Sequence, residues 1–325
     1  MSVAVGVIGA GVMGSEHARI LREDVNGAML VAVCDADEER ASAAVGRGEV
    51  FSDPTALIRS DRVEAVLIAA PDAMHGDLVL KCIEAGKPVL CEKPLAATAA
   101  GALRVVEAEV KTAKRLVQVG YMRRFDPPYE GMKRLLSEGG IGKPHILHNI
   151  HRNAVAPGWF NGPMSITNAF VHEIDVCRWL LGSEPVTAEV RSIGGGDPLV
   201  ITLETNRGEI VSTEVFMNCQ YGYHVHAQLV GSTATVETVQ PVLTRRNAAE
   251  QSITSYPINW IDRFREAYVR QMKAWTNSIA TGQPNQGANA WDGYVTTKIA
   301  GEIVAAMNAE KVAQLEIQAR PAIYA

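Results

Sequence analysis

This 325-residue sequence is poor in the features that mark several classes of protein. Aromatic residues make up only 6% of it, and its five cysteines are widely spaced, with no Cys-x-x-Cys pair. Cysteines scattered in this way indicate small buried side chains in a reducing compartment rather than a disulfide framework. Lysine and arginine form no tract and the net charge is −5, which argues against nucleic acid and anionic membranes as partners.

Targeting signals and long apolar runs are also missing. The apolar N-terminus has no basic leader and is interrupted by glycines, so we expect neither a signal peptide nor a membrane span there. No later segment reaches the ~18 apolar residues of a transmembrane helix. With 47% apolar residues the chain is long enough for two hydrophobic cores, and we expect a cytoplasmic protein of two domains.

The first motif is a glycine cluster, GAGVMG, that follows a short apolar run at Val3–Ile8 and precedes a helical pattern. In a turn of this kind the first glycine makes the tight bend, the second lets a pyrophosphate approach the backbone, and the third lets the helix pack on the strand. The helix N-terminus then offers N–H groups and partial positive charge to the phosphates. The residues that we expect to hold a dinucleotide here are Gly9, Gly11, Val12, Met13 and Gly14.

A second strand, Met29–Cys34, ends in Asp35, about 20 residues after the last of these glycines. A carboxylate at this position can accept both ribose hydroxyls of adenosine, and it repels the 2′-phosphate of NADP. Because no Lys or Arg follows at once, the sequence favours NAD. The alternative is that Asp35 only caps the helix expected at Asp37–Val45.

Strand and helix patterns continue to alternate as far as residue 121. Further strands are expected at Ala65–Ala69, Pro88–Cys91 and Leu116–Val119. This alternation predicts a doubly wound parallel sheet, which binds ligands at the carboxyl ends of its strands. His75 and Lys93 fall just beyond two of those ends, although His75 could instead cap or pack its helix and Lys93 could be an exposed loop lysine.

The second half has the alternating pattern of a mostly antiparallel sheet. Its strand-like runs are His145–Arg152, Val186–Ile193, Leu199–Thr205, Glu209–Met217, His224–Val230 and Thr233–Val239. An apolar stripe from Ile261 to Ile279 predicts a helix with a buried face. We therefore expect a first domain over residues 1–121 and an α+β domain over residues 122–325, with a final helix at about 291–307 that packs back on the first domain.

The stretch Ser165–Leu181 has apolar residues at three- and four-residue steps, which predicts an amphipathic helix. Asn168, His172 and Asp175 would then project from one face. A carboxylate one turn beyond a histidine can hold and tune a proton-transfer group. The alternative is that Asn168 and Asp175 only solvate the helix and that His172 is a semi-buried structural histidine.

Four motifs in this order, GAGVMG at 9–14, APDAMH at 70–75, CEKPLA at 91–96 and HEID at 172–175, resemble the Gfo/Idh/MocA family of NAD(P)-dependent oxidoreductases. The stretch GYMRRFDPPY at 120–129 and the sequence Tyr-Gly-Tyr at 221–223 narrow the likeness to the inositol 2-dehydrogenase group. The resemblance implies a Rossmann domain, an α+β domain, and assembly of a dimer or tetramer through the large sheet. It also implies that NAD lies beside Asp35, Ala70, Pro71, His75, Glu92 and Lys93.

The same resemblance implies the chemistry, which is reversible oxidation of a secondary alcohol on a cyclitol or sugar ring by hydride transfer to nicotinamide. Lys93, on a turn whose bond to Pro94 is often cis, would hydrogen-bond the reacting hydroxyl, and His172 would accept its proton. The other hydroxyls of this small polyol would be held by Arg123, His151, Asn153, Asp175 and Tyr223. No metal is expected, because the histidines at 145, 148 and 151 have strand spacing and no partner carboxylate nearby.

One expected catalytic position departs from the inositol dehydrogenase pattern, which has an aspartate where this chain has Asn168. An amide can orient the imidazole but cannot stabilise an imidazolium by charge. This departure argues against myo-inositol and for a related sugar, an aminocyclitol or another inositol isomer. Two other classes share the fold: NAD-dependent glycosidases, which give no net NADH, and non-catalytic NAD-binding regulators, which would be expected to lose Lys93 or His172.

Overall fold

The computed structural model describes residues 2–239 and 245–325, and the chain divides into two compact units. Unit 1 comprises Met1–Met122, Glu266–Lys298 and Gln318–Ala325, and unit 2 comprises Arg123–Arg265 and Ile299–Ile317. The expected final helix is present and runs from Ala290 to Asn308, so its residues are shared between the two units.

Unit 1 contains a six-stranded parallel sheet in the order β3-β2-β1-β4-β5-β6. Its strands are β1 (Val3–Ile8), β2 (Ala28–Cys34), β3 (Glu49–Phe51), β4 (Ala65–Ile68), β5 (Val89–Cys91) and β6 (Val117–Val119). The helices between them are α1 (Val12–Glu23), α2 (Glu38–Val45), α3 (Pro54–Arg59), α4 (Asp72–Glu84) and α5 (Ala99–Thr112). The strand order reverses between β1 and β4, which is where doubly wound sheets form a ligand crevice at the carboxyl ends of the strands.

The expected strand–helix alternation is confirmed, with one omission. The central strands are almost entirely buried, as continuous apolar runs in a sheet covered on both faces should be. The edge strand β3 and the helix α3 were not predicted. Glu49–Phe51 is only three residues long and partly exposed, so it carries no apolar run that would mark it as a strand.

Unit 2 is built on a seven-stranded sheet in the order β12-β11-β7-β10-β9-β8-β15. Its strands are β7 (Pro144–Arg152), β8 (Pro185–Ser192), β9 (Leu199–Thr205), β10 (Ile210–Phe216), β11 (His224–Gly231), β12 (Thr235–Glu237) and β15 (Ala313–Gln314), and a separate hairpin pairs β13 (Arg245–Ala248) with β14 (Gln251–Thr254). All neighbours are antiparallel except β10 and β7. The sheet is therefore mostly antiparallel, as the alternating pattern predicts, and β9 alternates strictly between buried and exposed residues.

Helices complete unit 2 and the shared segments. They are α6 (Pro127–Ser137), the short α7 (Gly162–Met164), α8 (Val171–Leu181), α9 (Trp260–Thr281) and α10 (Ala290–Asn308), with 3₁₀ turns at Met122–Phe125 and Ala322–Tyr324. The core stripe expected on α9 is largely buried from Phe264 to Trp275. Phe264 itself has non-helical dihedral angles, φ −111° and ψ 17°, next to the point where the chain passes from unit 2 to unit 1. No helix in the described ranges combines the length and the apolar character needed to cross a bilayer.

The prediction of one amphipathic helix over Ser165–Leu181 is wrong in two respects. Ser165–Phe170 forms π-helical turns, and only Val171–Leu181 is α-helical. Every residue of α8 except Trp179 is buried, so the helix has no polar face in contact with water. The reason is that its charged side chains have partners inside the protein, as Glu173 has in Arg123 and Asp175 has in Arg124.

Candidate active site

The glycine turn between β1 and α1 has the geometry of an anion cradle. Gly9 has φ +94°, and a Cβ there would collide with the carbonyl of Ala69. A Cβ on Gly14 would collide with the carbonyl of Gly9, whereas one on Gly11 would meet nothing within 4 Å. Helix α1 starts at Val12 with no acidic residue in its first turn and no side-chain hydrogen bond from its N-cap Gly11, which suits the binding of an anion at this helix end. The turn fits the pyrophosphate of a dinucleotide.

Asp35 stands at the end of β2 and is held by backbone groups. Its Oδ2 accepts a 2.6 Å hydrogen bond from the N–H of Ala10, and its Oδ1 accepts one of 2.9 Å from Asp37. Burial by itself raises the pKa of Asp35, but these bonds outweigh it and keep the pKa below its ordinary value. The helix cap is Asp37, which accepts from the N–H of Arg40, so Asp35 is not the cap of α2.

The sequence did not reveal the guanidinium that accompanies this carboxylate. Arg40 Nη2 lies 3.1 Å from Asp35 Oδ1, and the arginine is more than half exposed. Because α2 turns back over the end of β2, a residue five positions later reaches the same carboxylate. Asp35 thus keeps its negative charge and a fixed orientation, which suits a partner for ribose hydroxyls.

His75 is placed differently from a ligand-binding histidine. Its side chain is buried, with Nδ1 2.7 Å from the carbonyl oxygen of Pro94 and Nε2 2.8 Å from that of Ala70. Both ring nitrogens are therefore used by the protein backbone. The imidazole shapes the loop at the end of β4, while Ala70 and Pro71 leave that loop partly open to solvent.

Lys93 follows β5 and is half-buried, and its peptide bond to Pro94 is cis, as the family resemblance implies. The neighbouring Glu92 is buried and accepts a 2.8 Å hydrogen bond from Nε2 of His17, a residue of α1. Burial raises the pKa of Glu92, but the bond from His17 and the nearby positive charges together outweigh it and hold the pKa below its usual value. The sequence gave no sign of this pair, because the two residues are 75 positions apart.

In unit 2 the structure brings three of the expected site residues together. The ring of His151 lies 6.3 Å from that of His172 and 6.0 Å from that of Tyr223, centroid to centroid. All three side chains are buried. Asn153 follows β7 and is half-buried, and Asn168 is half-buried with its Oδ1 accepting a 2.9 Å hydrogen bond from Thr167.

Glu173, which sequence reasoning missed, is central to this cluster. It forms a short ion pair with Nη1 of Arg123 and accepts a 3.0 Å hydrogen bond from Nδ1 of His151. All three side chains are at most 5% exposed. Burial raises the pKa of Glu173, but Arg123 and then His151 outweigh it and lower the pKa to about 2. Its two partners lie 50 and 22 positions away along the chain, so no local pattern pointed to it.

This arrangement fixes the orientation of the His151 ring. Nδ1 lies 3.0 and 3.2 Å from the two carboxylate oxygens of Glu173, which accept, and 3.2 Å from Nη2 of Arg123, which donates. Both contacts are made at Nδ1, so Nε2 is the nitrogen that faces away from this pair. Asp175, by contrast, forms a two-point pair with Arg124 at 2.6 and 3.0 Å. Arg123 and Asp175 thus have charged partners that the sequence did not reveal.

The residues in the described ranges include no cluster of three or more His, Cys, Asp or Glu side chains that could hold a metal ion.

Comparison with known protein families finds a match for each half of the chain. Residues 3–121 match the family described as "Oxidoreductase family, NAD-binding Rossmann fold", and residues 129–237 match its "GFO/IDH/MocA C-terminal domain".

Relatives of known name match from end to end. The chain is 46% identical to inositol 2-dehydrogenase 1 of Saccharopolyspora erythraea, with 100% of this chain and 99% of that one covered. It is 37% identical to an inositol 2-dehydrogenase of Klebsiella pneumoniae over the same shares. Among solved structures, the myo-inositol dehydrogenase of Lactobacillus casei in complex with NAD(H) and myo-inositol matches with a TM-score of 0.93 and 32% identity, covering both chains completely.

Proposed function

Because the chain belongs to the Gfo/Idh/MocA family of oxidoreductases, we propose that it is an NAD-dependent dehydrogenase that reversibly oxidises one secondary alcohol of a cyclitol to a ketone. The strongest support is the end-to-end likeness to a myo-inositol dehydrogenase solved with NAD(H) and myo-inositol. The chain also keeps both Lys93 and His172, which a non-catalytic regulator would not need.

The cofactor site is proposed at the carboxyl edge of the parallel sheet, in a domain of residues 1–121. The glycine turn would hold the pyrophosphate, and Asp35 would accept the adenosine ribose hydroxyls. The other residues assigned to the cofactor are Val12, Met13, Ala70, Pro71, His75, Glu92 and Lys93, of which His75 and Glu92 act through the backbone that they hold. When bound, NAD supplies the nicotinamide ring that accepts a hydride.

Lys93 and His172 are the proposed catalytic side chains. The Lys93 ammonium hydrogen-bonds the reacting hydroxyl and stabilises the negative charge that develops on its oxygen. The His172 imidazole takes the hydroxyl proton as a general base, and it returns that proton when the ketone is reduced. A positioned proton transfer of this kind contributes ~10²–10⁴-fold to the rate.

The remaining hydroxyls of the substrate are assigned to side chains of unit 2. His151, whose Nδ1 is held by Glu173, offers Nε2, and Tyr223 and Asn153 offer an O–H and an amide. Arg123 and Asp175 contribute through charges whose positions are fixed by ion pairs with Glu173 and Arg124. A polyol presents many hydroxyls and little apolar area, which is why several polar groups are needed.

Asn168 supports a second candidate substrate class within the same reaction. An amide at this position is neutral and cannot form the carboxylate contact that an aspartate would. A ring that carries a different hydroxyl geometry or an amino group, such as another inositol isomer, another sugar or an aminocyclitol, fits this change. Asn168 is assigned to orient the imidazole or a substrate hydroxyl.

We also propose that the enzyme is a cytoplasmic homo-oligomer, a dimer or tetramer, that associates through the outer face of the unit 2 sheet. Apolar side chains on this sheet, such as Val200 and Ile210, are 43% and 45% exposed in the single chain. The five cysteines are free thiols, as a reducing compartment requires. Light scattering of the purified protein measures the oligomer size directly.

The experiment that tests the activity is a screen of NADH formation by absorbance. The purified enzyme is mixed with NAD and with inositol isomers, hexoses, pentoses and amino sugars in turn. Net NADH from at least one free polyol is expected. An absence of NADH with every polyol, together with release of sugar from glycosides, would instead identify the glycosidase. Binding of NAD without either reaction would identify a regulator.

A further inference from the structure

The residue that precedes Lys93 is held by a histidine of α1. Glu92 Oε1 lies 2.8 Å from Nε2 of His17, and Glu92 Oε2 accepts a 3.3 Å hydrogen bond from the backbone N–H of Lys93. His17 is fully buried, and its Nδ1 has no hydrogen-bond partner within residues 2–239 and 245–325, so its polar contact is directed at Glu92. Gly120 leaves room for this carboxylate, because a Cβ there would lie 3.0 Å from its atoms.

The residue that follows Lys93 is held by a histidine of α4. His75 Nδ1 lies 2.7 Å from the carbonyl oxygen of Pro94, and His75 Nε2 lies 2.8 Å from that of Ala70. The ring is 1% exposed. It therefore joins the Lys93 turn to the loop at the end of β4, as His17 joins that turn to the helix of the glycine cluster.

We propose that His17 and His75 are positioning residues that hold the backbone of Lys93 from its two sides, a role that rests on the proposed function of Lys93. The contacts come from α1 and from the Ala70 loop, which are the two elements proposed to carry the cofactor. Lys93 has a long flexible side chain, so any shift of its backbone is added to the freedom of that chain and moves the ammonium out of the narrow range that catalysis needs. A displacement of ~1 Å at such a group can cost about 10²-fold in rate.

Exchanging each histidine for glutamine or asparagine distinguishes this positioning role from simple packing. The amide nitrogen of glutamine takes about the place of a histidine Nε2, and that of asparagine takes about the place of Nδ1. At position 17, His17→Gln keeps the donor to Glu92 and His17→Asn removes it. At position 75 the preference reverses, because His75→Asn keeps the contact with Pro94 and His75→Gln keeps only the contact with Ala70.

The expected result is a crossed pattern in turnover. His17→Asn and His75→Gln should lower kcat at least tenfold, with the Kd of NAD and the KM of the polyol within threefold of wild type. His17→Gln should stay within threefold of wild-type kcat, and His75→Asn should lose less turnover than His75→Gln. Ile20→Val, a buried change on α1 without a polar contact, controls for lost packing. Turnover that follows Tm alone across the four exchanges would overturn the positioning role.

A second measurement needs neither cofactor nor turnover. The rate at which an amine-reactive reagent modifies Lys93 in the cofactor-free protein is followed by peptide mass spectrometry, with the exposed Lys111 as internal reference. His17→Asn and His75→Gln should change the Lys93 rate at least threefold, and the other two exchanges should not. Equal rates in all four would contradict the positioning role even if Lys93→Ala proves inactive. If Lys93→Ala keeps its turnover, the catalytic role of Lys93 fails, while the labelling rates still decide what the two histidines hold.

Discussion

Each unit buries a carboxylate against an imidazole. The two pairs differ in which of the two groups orients the other. In unit 1 Glu92 lies 2.8 Å from His17 and touches the backbone N–H of Lys93. In unit 2 Glu173 lies 3.0 Å from His151 and is also paired with Arg123. In the first pair the imidazole of His17 orients the carboxylate of Glu92, and that carboxylate accepts a hydrogen bond from the backbone at Lys93. In the second the carboxylate holds the imidazole, whose other nitrogen is left for a ligand.

The presence or absence of an arginine explains this difference. Arg123 compensates the charge of Glu173 with a permanent positive charge. Glu92 has no arginine among its described contacts, and it relies on His17 and on nearby positive charges, Lys93 among them. A buried carboxylate can thus orient a side chain when an arginine neutralises it, and can orient the backbone when an imidazole and nearby positive charges stabilise it.

The largest expected effect comes from removing the negative charge of Glu173, which is the counter-ion of a buried arginine that the Glu92 pair of unit 1 does not have. Glu173→Gln keeps the shape of the side chain but leaves Arg123 buried without its counter-ion. Breaking a buried pair in this way costs about 3–5 kcal/mol, which urea unfolding measures. Glu214→Gln, which breaks the partly exposed pair with Arg152, is the matched control and should cost less than about 1 kcal/mol. Equal losses in both variants would show that burial does not distinguish the two pairs.

The pKa of Glu173 makes the same pair sensitive to acid. Its pKa is lowered from an ordinary 4.5 to about 2, so its contribution is complete above pH 4.5 and is lost as the pH falls through the folded value. That contribution amounts to roughly 3 kcal/mol. The difference in unfolding free energy between wild type and Glu173→Gln should therefore narrow steadily between about pH 5 and about pH 3. A difference that stays constant over this range would mean that Glu173 is not the group that titrates.

The next effect concerns one side chain in each unit. Lys93→Ala and His172→Ala should each lower turnover at least a hundredfold, or about 2.7 kcal/mol in activation free energy, while the Kd of NAD stays nearly unchanged. The reason is that both groups act on the reacting oxygen and not on the dinucleotide phosphates. Lys111→Ala and His145→Ala, both at exposed positions, are the matched controls. Turnover within threefold of wild type in either active-site variant would refute that assignment.

Local patterns made unit 1 easier to predict than unit 2. Gly9 has a positive φ, and a Cβ on Gly14 would collide with the carbonyl of Gly9, so these requirements lie within six residues and are visible in the sequence as spacing. The partners of Arg123 and Asp175 lie about 50 positions away along the chain, so no local pattern could reveal them. The sequence also did not predict the π-helical turns at Ser165–Phe170. Apolar spacing shows that a segment is helical but not how many residues make each turn.

Asn168 offers the smallest and most specific change, because it tests whether unit 2 needs a second carboxylate. Asn168→Asp restores the aspartate of the inositol dehydrogenase pattern on the π-helical segment that leads into α8. Glu173 is already committed to Arg123 and His151, so the new charge would be the one free to stabilise a protonated His172. We expect a severalfold change in the ranking of inositol isomers or a shift in the pH–rate profile, measured as kcat/KM over pH for each polyol.

Asn168→Ala separates charge from hydrogen bonding, since it removes the amide without adding a carboxylate. If wild type, Asn168→Asp and Asn168→Ala give the same ranking and the same profile, position 168 has no part in the chemistry, and the imidazole of His172 works without help from it.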